Sequence, residues 1–76
     1  MDSQGTFFFF TFNQFMKITR SEWVNKTYDQ KVKEVFAWLK IPQMKTYRVA
    51  NRLNKLGETR ESATKIYLDA CKLLGL

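Results

Sequence analysis

Apolar side chains recur at steps of three and four residues along most of the chain, and this spacing restricts the fold more than any other feature. It appears in three successive segments, residues 20–40, 43–56 and 59–74, and in each it gathers apolar side chains on one face of an α-helix. The apolar positions are Val24, Tyr28, Val32, Val35, Phe36 and Leu39 in the first segment, Val49, Ala50, Leu53 and Leu56 in the second, and Ala63, Ile66, Tyr67, Ala70, Leu73 and Leu74 in the third. The sequence therefore predicts an all-α chain with a compact three-helix domain.

The first predicted helix has two candidate starting points. Thr19 precedes Glu22 by three residues, the spacing of a capping box, in which the two side chains satisfy backbone N–H groups at a helix start. Thr27 and Gln30 repeat this spacing. The helix therefore either runs without interruption until Pro42 disfavours it, or begins or breaks near Thr27.

The first sixteen residues differ in composition from the rest of the chain. Six of the seven phenylalanines lie here, from Phe7 to Phe15, and the β-propensity of Phe and Thr favours an extended or disordered segment. Met16 then precedes a more ordinary helical sequence. This divides the chain into a Phe-rich N-terminal segment, residues 1–16, and a basic helical domain, residues 17–76. Three interpretations of this segment stay open: it has no function of its own, it folds back over the helical core, or it inserts into a membrane or a partner protein.

The Phe-rich segment does not fit a targeting or membrane-spanning sequence. Asp2 stands where a secretory signal carries basic residues, and polar Asn13 and Gln14 follow the apolar stretch instead of small residues. Roughly ten apolar residues are also too few for a helix that spans a bilayer, which needs about 20. We therefore do not expect a membrane partner.

The residue types needed for most catalytic and metal sites are missing. The chain has no histidine, so the commonest general base and metal ligand is absent. Cys71 is the only cysteine, which excludes an internal disulfide or a multi-cysteine zinc site and suits a reducing intracellular compartment, whether cytoplasm, nucleoid or nucleus. Glu58 and Glu61 form the closest acidic pair, but carboxylates at a helix start stabilise the macrodipole without chemistry. We expect no enzymatic activity, no cofactor and no metal.

The charge of the chain points to acidic partners. The net charge is +6, and Asp2 is the only charged residue among residues 1–16, so residues 17–76 hold all 13 basic residues and six of the seven acidic ones. Such an excess favours nucleic acid, an anionic membrane surface or an acidic protein. Composition alone does not choose among them.

The middle predicted helix carries its basic residues without acidic neighbours. In the first and third helices, acidic and basic residues stand four apart, as is usual on a solvated helix face. These pairs are Glu22–Lys26, Asp29–Lys33, Glu61–Lys65 and Lys65–Asp69. The middle helix has four cations at steps of three, four and three residues, within a sector of about 80°, and no acidic residue between Ile41 and Gly57. We call these four, Lys45, Arg48, Arg52 and Lys55, the basic stripe.

The basic stripe predicts a nucleic-acid-binding surface, with DNA favoured over RNA. Guanidinium groups match the geometry of phosphate oxygens. Asn51 and Asn54 flank the stripe and are candidates for phosphate or base-edge contacts, while Tyr47 is a candidate for stacking. Two alternatives stay open. The stripe is an ordinary solvated face, or the chain is a protein–protein adaptor that uses the Phe-rich segment, or the stripe against an acidic partner.

The two tryptophans are predicted to serve the core. Trp38 follows an apolar run, and Trp23, near a helix start, is placed at the core edge. The alternative is a platform on which single-stranded bases stack.

The last thirty residues, YRVANRLNKLGETRESATKIYLDACKLLGL, have a recognisable order of features. A helix with Ala50 and Leu53, a turn at Leu56-Gly57 and an apolar helix that ends at Gly75 resemble part of a cyclin-like repeat of archaeal transcription factor B and its eukaryotic counterpart. The resemblance implies a role in transcription and contacts with promoter DNA and the transcription machinery. The same segment also suits a helix-turn-helix, with residues 45–56 as its first helix and 59–74 as its reading helix.

Overall fold

The computed structural model describes residues 11–75, and every regular element in that range is a helix. In chain order these are α1, helical over residues 11–17, α2 (Arg20–Val24), α3 (Tyr28–Leu39), α4 (Thr46–Lys55) and α5 (Arg60–Leu74). The prediction of an all-α chain is confirmed for these residues. The described range holds five helical segments, where the spacing of apolar residues predicted three.

The first predicted helix is two helices because both capping boxes form. Thr19 Oγ1 accepts the Glu22 backbone N–H at 3.1 Å, and the Glu22 carboxylate accepts the Thr19 N–H at 2.9 Å. Thr27 and Gln30 make the same reciprocal pair at 3.2 and 2.9 Å. A threonine that caps a new helix has extended backbone angles, so α2 cannot continue through Thr27. The break near Thr27 is therefore the alternative that forms.

The second predicted helix starts later than residue 43 because Pro42 and Gln43 form a turn. Gln43 has φ of +64°, outside the range of a right-handed helix. At its other end, α4 is followed by Gly57, whose φ is +102°. A Cβ at this glycine would lie 2.9 Å from Arg20 Nε, but that atom belongs to the flexible end of an exposed side chain, so it is the backbone angle that requires glycine. Gly75, with φ of +84°, ends α5 as predicted.

The core lies where α1, α2 and α3 meet α4 and α5, and two indoles form its centre. Trp23 and Trp38 stack with ring centroids 5.5 Å apart. Both side chains have no exposed surface, so neither indole can receive a base. Core packing of Trp38 is confirmed, while Trp23 lies inside the core and not at its edge as predicted. The buried apolar side chains are Phe15, Ile18, Trp23, Val32, Val35, Trp38, Ile41, Val49, Leu53, Leu56, Ile66 and Ala70.

The described part of the Phe-rich segment is helical and packs against this core. Phe15 is 2% exposed and meets Trp38 edge to face, with ring centroids 5.0 Å apart. Thr11, one helical turn earlier, is also buried. The prediction of an extended or disordered segment is therefore wrong for residues 11–16, because burial of one helix face outweighs the β-propensity of Phe and Thr. Residues 1–10 lie outside the described range.

A half-buried carboxylate, that of Glu58, joins the first part of the chain to the start of α5. Glu58 is 9% exposed and accepts hydrogen bonds from Trp23 Nε1 at 2.8 Å and Ser62 Oγ at 2.5 Å. Lys31 Nζ lies 2.8 Å from the same carboxylate. Burial by itself would raise the pKa of Glu58, but the hydrogen bonds from Lys31, Ser62 and Trp23 lower it further than burial raises it. Glu58 therefore holds helices together, beyond the dipole role that the sequence predicted.

The stability of the chain at alkaline pH should depend on a hydrogen bond between α3 and α5. The Tyr28 hydroxyl donates to the Asp69 carboxylate, and this hydrogen bond, with burial and the Asp69 charge, raises the pKa of Tyr28 from 10.0 to about 12. Because the folded state holds this proton more tightly, its contribution to stability is complete below pH 10 and is lost as the pH rises toward 12. We expect Tyr28→Phe to flatten the fall in unfolding free energy over that interval, measured by urea denaturation. Tyr47→Phe, at an exposed position, is the control, and an equal effect of both variants would contradict the assignment.

Candidate nucleic-acid interface

The basic stripe lies along α4, beside the face of that helix that is buried in the core. Val49, Leu53 and Leu56 are 0–3% exposed and fix the rotation of α4 about its axis. Lys45 is the N-cap residue of α4 and makes no side-chain capping bond, so its ammonium group is not used by the helix end. The other three cations of the stripe follow on successive turns.

The cations of the stripe have no acidic partner within 4 Å among residues 11–75. The ion pairs found in this range lie elsewhere: Lys26–Glu34 at 3.9 Å, Lys31–Glu58 at 2.8 Å, Lys33–Asp29 at 3.2 Å and Lys72–Asp69 at 3.9 Å. The stripe is therefore unpaired among the described residues, as predicted, but several cations of the other helices, among them Arg20, Arg60 and Lys65, also make no ion pair within 4 Å there.

The individual pairs differ in part from those predicted. Asp29–Lys33 forms as expected. Glu22 is instead used in the capping box with Thr19, since α2 ends before a second turn can bring Lys26 beside it. Lys65 lies over the ring of Tyr28, with Nζ 5.9 Å from the centroid, and makes neither predicted pair. Only one of the four predicted pairs forms, so charge on the other helices is compensated in part, and by contacts between helices as well as within them.

Two arginines of the stripe rest on the aromatic ring of Phe15. The guanidinium carbon lies 5.8 Å from the ring centroid for Arg48 and 5.4 Å for Arg52, both within the range of a cation–π interaction. Arg48 Nη2 also approaches Met16 Sδ at 4.0 Å. The sequence did not predict this support, although the helical spacing of Thr11, Phe15 and Ile18 would have placed Phe15 beside the core.

The two arginines are only partly available to a ligand. Both are half-buried, and the Nε of Arg52 is buried without a hydrogen-bond partner within the described range. The other predicted contact residues, Lys45, Tyr47, Asn51, Asn54 and Lys55, are exposed. The lysines are thus the cleaner positions for tests of charge, because changing them does not disturb packing.

The seven predicted residues do not form one site. Four of them, Arg48, Asn51, Arg52 and Lys55, line a recess of about 130 Å³ between α1 and α4, together with Phe15 and Met16. Asn51 also lines a larger groove of about 420 Å³ between α4 and α5, whose other lining residues include Asn54. Lys45 and Tyr47 line neither cavity, and Tyr47 is 65% exposed. The structure therefore gathers three cations and one amide at the recess.

The α4–α5 groove lies between the two helices that the sequence assigned to a helix-turn-helix. Val49, Leu53 and Ala63 are among the apolar residues that line it. Thr46 Oγ1 and the Tyr67 hydroxyl are hydrogen-bonded across it at 3.1 Å. The two helices and the turn at Gly57 are present as predicted, while a reading role for α5 stays a prediction.

The described residues offer no metal centre and no membrane span. Across residues 11–75, no group of three or more His, Cys, Asp or Glu side chains could hold a metal ion. No helix in the described part of the chain is long and apolar enough to cross a membrane.

Comparison with known proteins adds no relative. No protein-family model matches the chain, and neither a curated protein nor a solved structure is significantly similar to it. The resemblance of residues 47–76 to a cyclin-like repeat therefore stays a prediction, and the function has to be inferred from the surface itself.

Proposed function

We propose that the chain is a small helical nucleic-acid-binding protein that contacts phosphates through the basic stripe, with DNA favoured over RNA. The observation that carries this proposal is the stripe itself: four cations on one helix, none with an acidic partner within 4 Å among residues 11–75. Regulation of transcription inside the cell, beside a protein of the transcription machinery, is the role that we attach to it.

The geometry of α4 suits a phosphate backbone. Ten residues separate Lys45 from Lys55, which is about 15 Å of helix length. One strand of duplex DNA carries a phosphate every 3.4 Å along the axis as it winds around it, so a straight helix of this length can meet more than one phosphate. Arg48 and Arg52 present guanidinium groups already held over Phe15, which reduces the side-chain freedom lost on binding. Because the lysines at the two ends are exposed, they complete a charged row without a cost in packing.

The test is the salt dependence of binding in a variant that keeps the fold. Each phosphate contact releases condensed counterions, so the logarithm of the affinity falls with the logarithm of the salt concentration by about 0.9 per contact. The double variant Lys45→Gln/Lys55→Gln should therefore flatten the slope by about two units on duplex DNA, measured by fluorescence anisotropy between about 50 and about 200 mM salt. The affinities for single-stranded DNA and for RNA of the same sequence, measured in the same way, show which class of nucleic acid the chain prefers. Helix propensity barely changes from Lys to Gln, so circular dichroism should be unaltered.

The matched control removes two positive charges elsewhere. Lys33→Gln/Lys72→Gln changes two exposed lysines that lie in ion pairs on α3 and α5, and exposed pairs contribute little to stability. We expect its slope to stay near that of the unmodified chain. Equal slopes in the two double variants would mean that net charge, and not the stripe, governs binding. Binding to polyglutamate but to no nucleic acid would instead favour the adaptor with an acidic protein partner.

A further inference from the structure

The recess between α1 and α4 concentrates more positive charge than a single phosphodiester needs. Arg48, Arg52 and Lys55 line it, and none of the acidic side chains among residues 11–75 does. Its volume of about 130 Å³ is room for several water-sized groups, and a terminal phosphoryl group has four heavy atoms. The recess therefore has the size and the charge of a site for one phosphoryl group.

We propose that this recess binds the terminal phosphomonoester of a nucleic-acid strand, so that the protein prefers phosphorylated ends. The inference rests on the proposed function, since it assigns one part of the basic stripe to the end of a strand. Lys45 lies outside the recess and contacts the adjoining phosphodiesters. The interface thus has an end-binding part around Lys55 and a backbone-binding part around Lys45.

A monoester fits the lining better than a diester on two grounds. It carries a charge of about −1.5 to −2 at pH 7, against −1 for a diester, so its attraction to three cations is greater. It also offers three free oxygens, one more than a diester. The donors around the recess are two guanidinium forks, an ammonium group and the Asn51 amide, and together they can serve all three oxygens.

The floor of the recess restricts how the arginines move. Phe15 lies beneath both guanidinium groups and Met16 Sδ lies 4.0 Å from Arg48 Nη2, so one side of each fork is occupied by apolar atoms. The remaining N–H groups are not engaged by carboxylates among residues 11–75. Ligand oxygens that enter the recess therefore meet N–H donors that are held in place and that make no ion pair with a carboxylate among residues 11–75.

The experiment compares two short blunt duplexes of one sequence, one with 5′-phosphate ends and one with 5′-hydroxyl ends, each with a dye at a 3′ end. Fluorescence anisotropy with the full chain at about 50 mM salt should give about tenfold tighter binding of the phosphorylated duplex, which corresponds to about 1.4 kcal/mol. Lys55→Gln should reduce this ratio toward one. Lys45→Gln, the same substitution outside the recess, should weaken the binding of both duplexes and leave the ratio unchanged.

The outcomes separate this inference from the proposed function. Equal affinity for the two duplexes, with binding intact, overturns the recess as an end-binding site and leaves the proposed function standing. Absence of binding to either duplex overturns both. A ratio that Lys45→Gln lowers as much as Lys55→Gln also overturns the assignment to the recess. Vesicles with phosphatidic acid present the same phosphomonoester on a lipid, and preferential binding to them over the phosphorylated duplex would overturn the nucleic-acid source.

Discussion

Phe15→Ala should lower the free energy of unfolding by about 3–5 kcal/mol, the usual cost of removing a buried phenyl ring. The ring is 2% exposed, packs against Trp38 and lies beneath Arg48 and Arg52. Its loss therefore opens a cavity and removes two cation–π contacts at once. Since small domains have only about 5–15 kcal/mol in total, much of the stability should disappear. Urea denaturation followed by circular dichroism measures the change.

Phe12→Ala provides the control within the same helix. Phe12 is 38% exposed, so its removal should cost less than about 1 kcal/mol. If both alanine variants lost the same stability, α1 would not be anchored through Phe15, and the support of the two arginines would have to come from elsewhere.

Glu58→Ala should destabilise the chain by about 2–3 kcal/mol, more than any other change of an acidic residue in the described range. The substitution leaves the indole N–H of Trp23 buried without its acceptor and Lys31 without its counter-ion. A buried donor that loses its partner costs about 1–3 kcal/mol, and breaking a largely buried ion pair adds to that. Thermal and urea denaturation at neutral pH report the loss.

Glu61→Ala separates this network from the general effect of a carboxylate at the start of α5. Glu61 is exposed, lies in the first turn of α5 and makes no ion pair within 4 Å in the described range. It should therefore lose only the dipole contribution, about 0.3–1 kcal/mol. Equal losses at the two positions would reduce Glu58 to the dipole role that the sequence predicted for it.

The helices that the sequence predicted well are those in which local and long-range preferences agree. α5 has a sustained apolar face, a threonine at its start and Gly75 at its end, so its bounds were predicted within a residue. Near Thr27 the local preferences are balanced, because an apolar face favours continuation and a capping pair favours a new start. Both capping boxes form, which favours two helices, and Trp23 of α2 packs against Trp38 of α3, a contact that no local pattern contains.

The sequence predicted the charges of the candidate site but not the aromatic ring on which two of its arginines rest. The absence of acidic residues in α4 is a property of one helix and can be read from the sequence. The contact of Arg48 and Arg52 with Phe15 joins residues more than thirty positions apart, and a run of phenylalanines favours a strand by local propensity. The Trp23–Glu58 hydrogen bond spans 35 positions and was missed for the same reason. These contacts could not be predicted because their residues lie far apart along the chain, although each contact is of an ordinary chemical type.

Phe15 belongs to two surfaces at once, since its ring packs against Trp38 in the core and also lies within cation–π distance of Arg48 and Arg52. If α1 detaches from the rest of the chain, the core opens and the two guanidinium groups lose their platform in the same step. Docking of α1 and occupancy of the recess are therefore linked equilibria, and each must strengthen the other by the same free energy. An anion held at the recess would raise the unfolding temperature, and the rise would grow with the logarithm of the anion concentration above its Kd, so heat stability itself becomes a readout of what the surface binds.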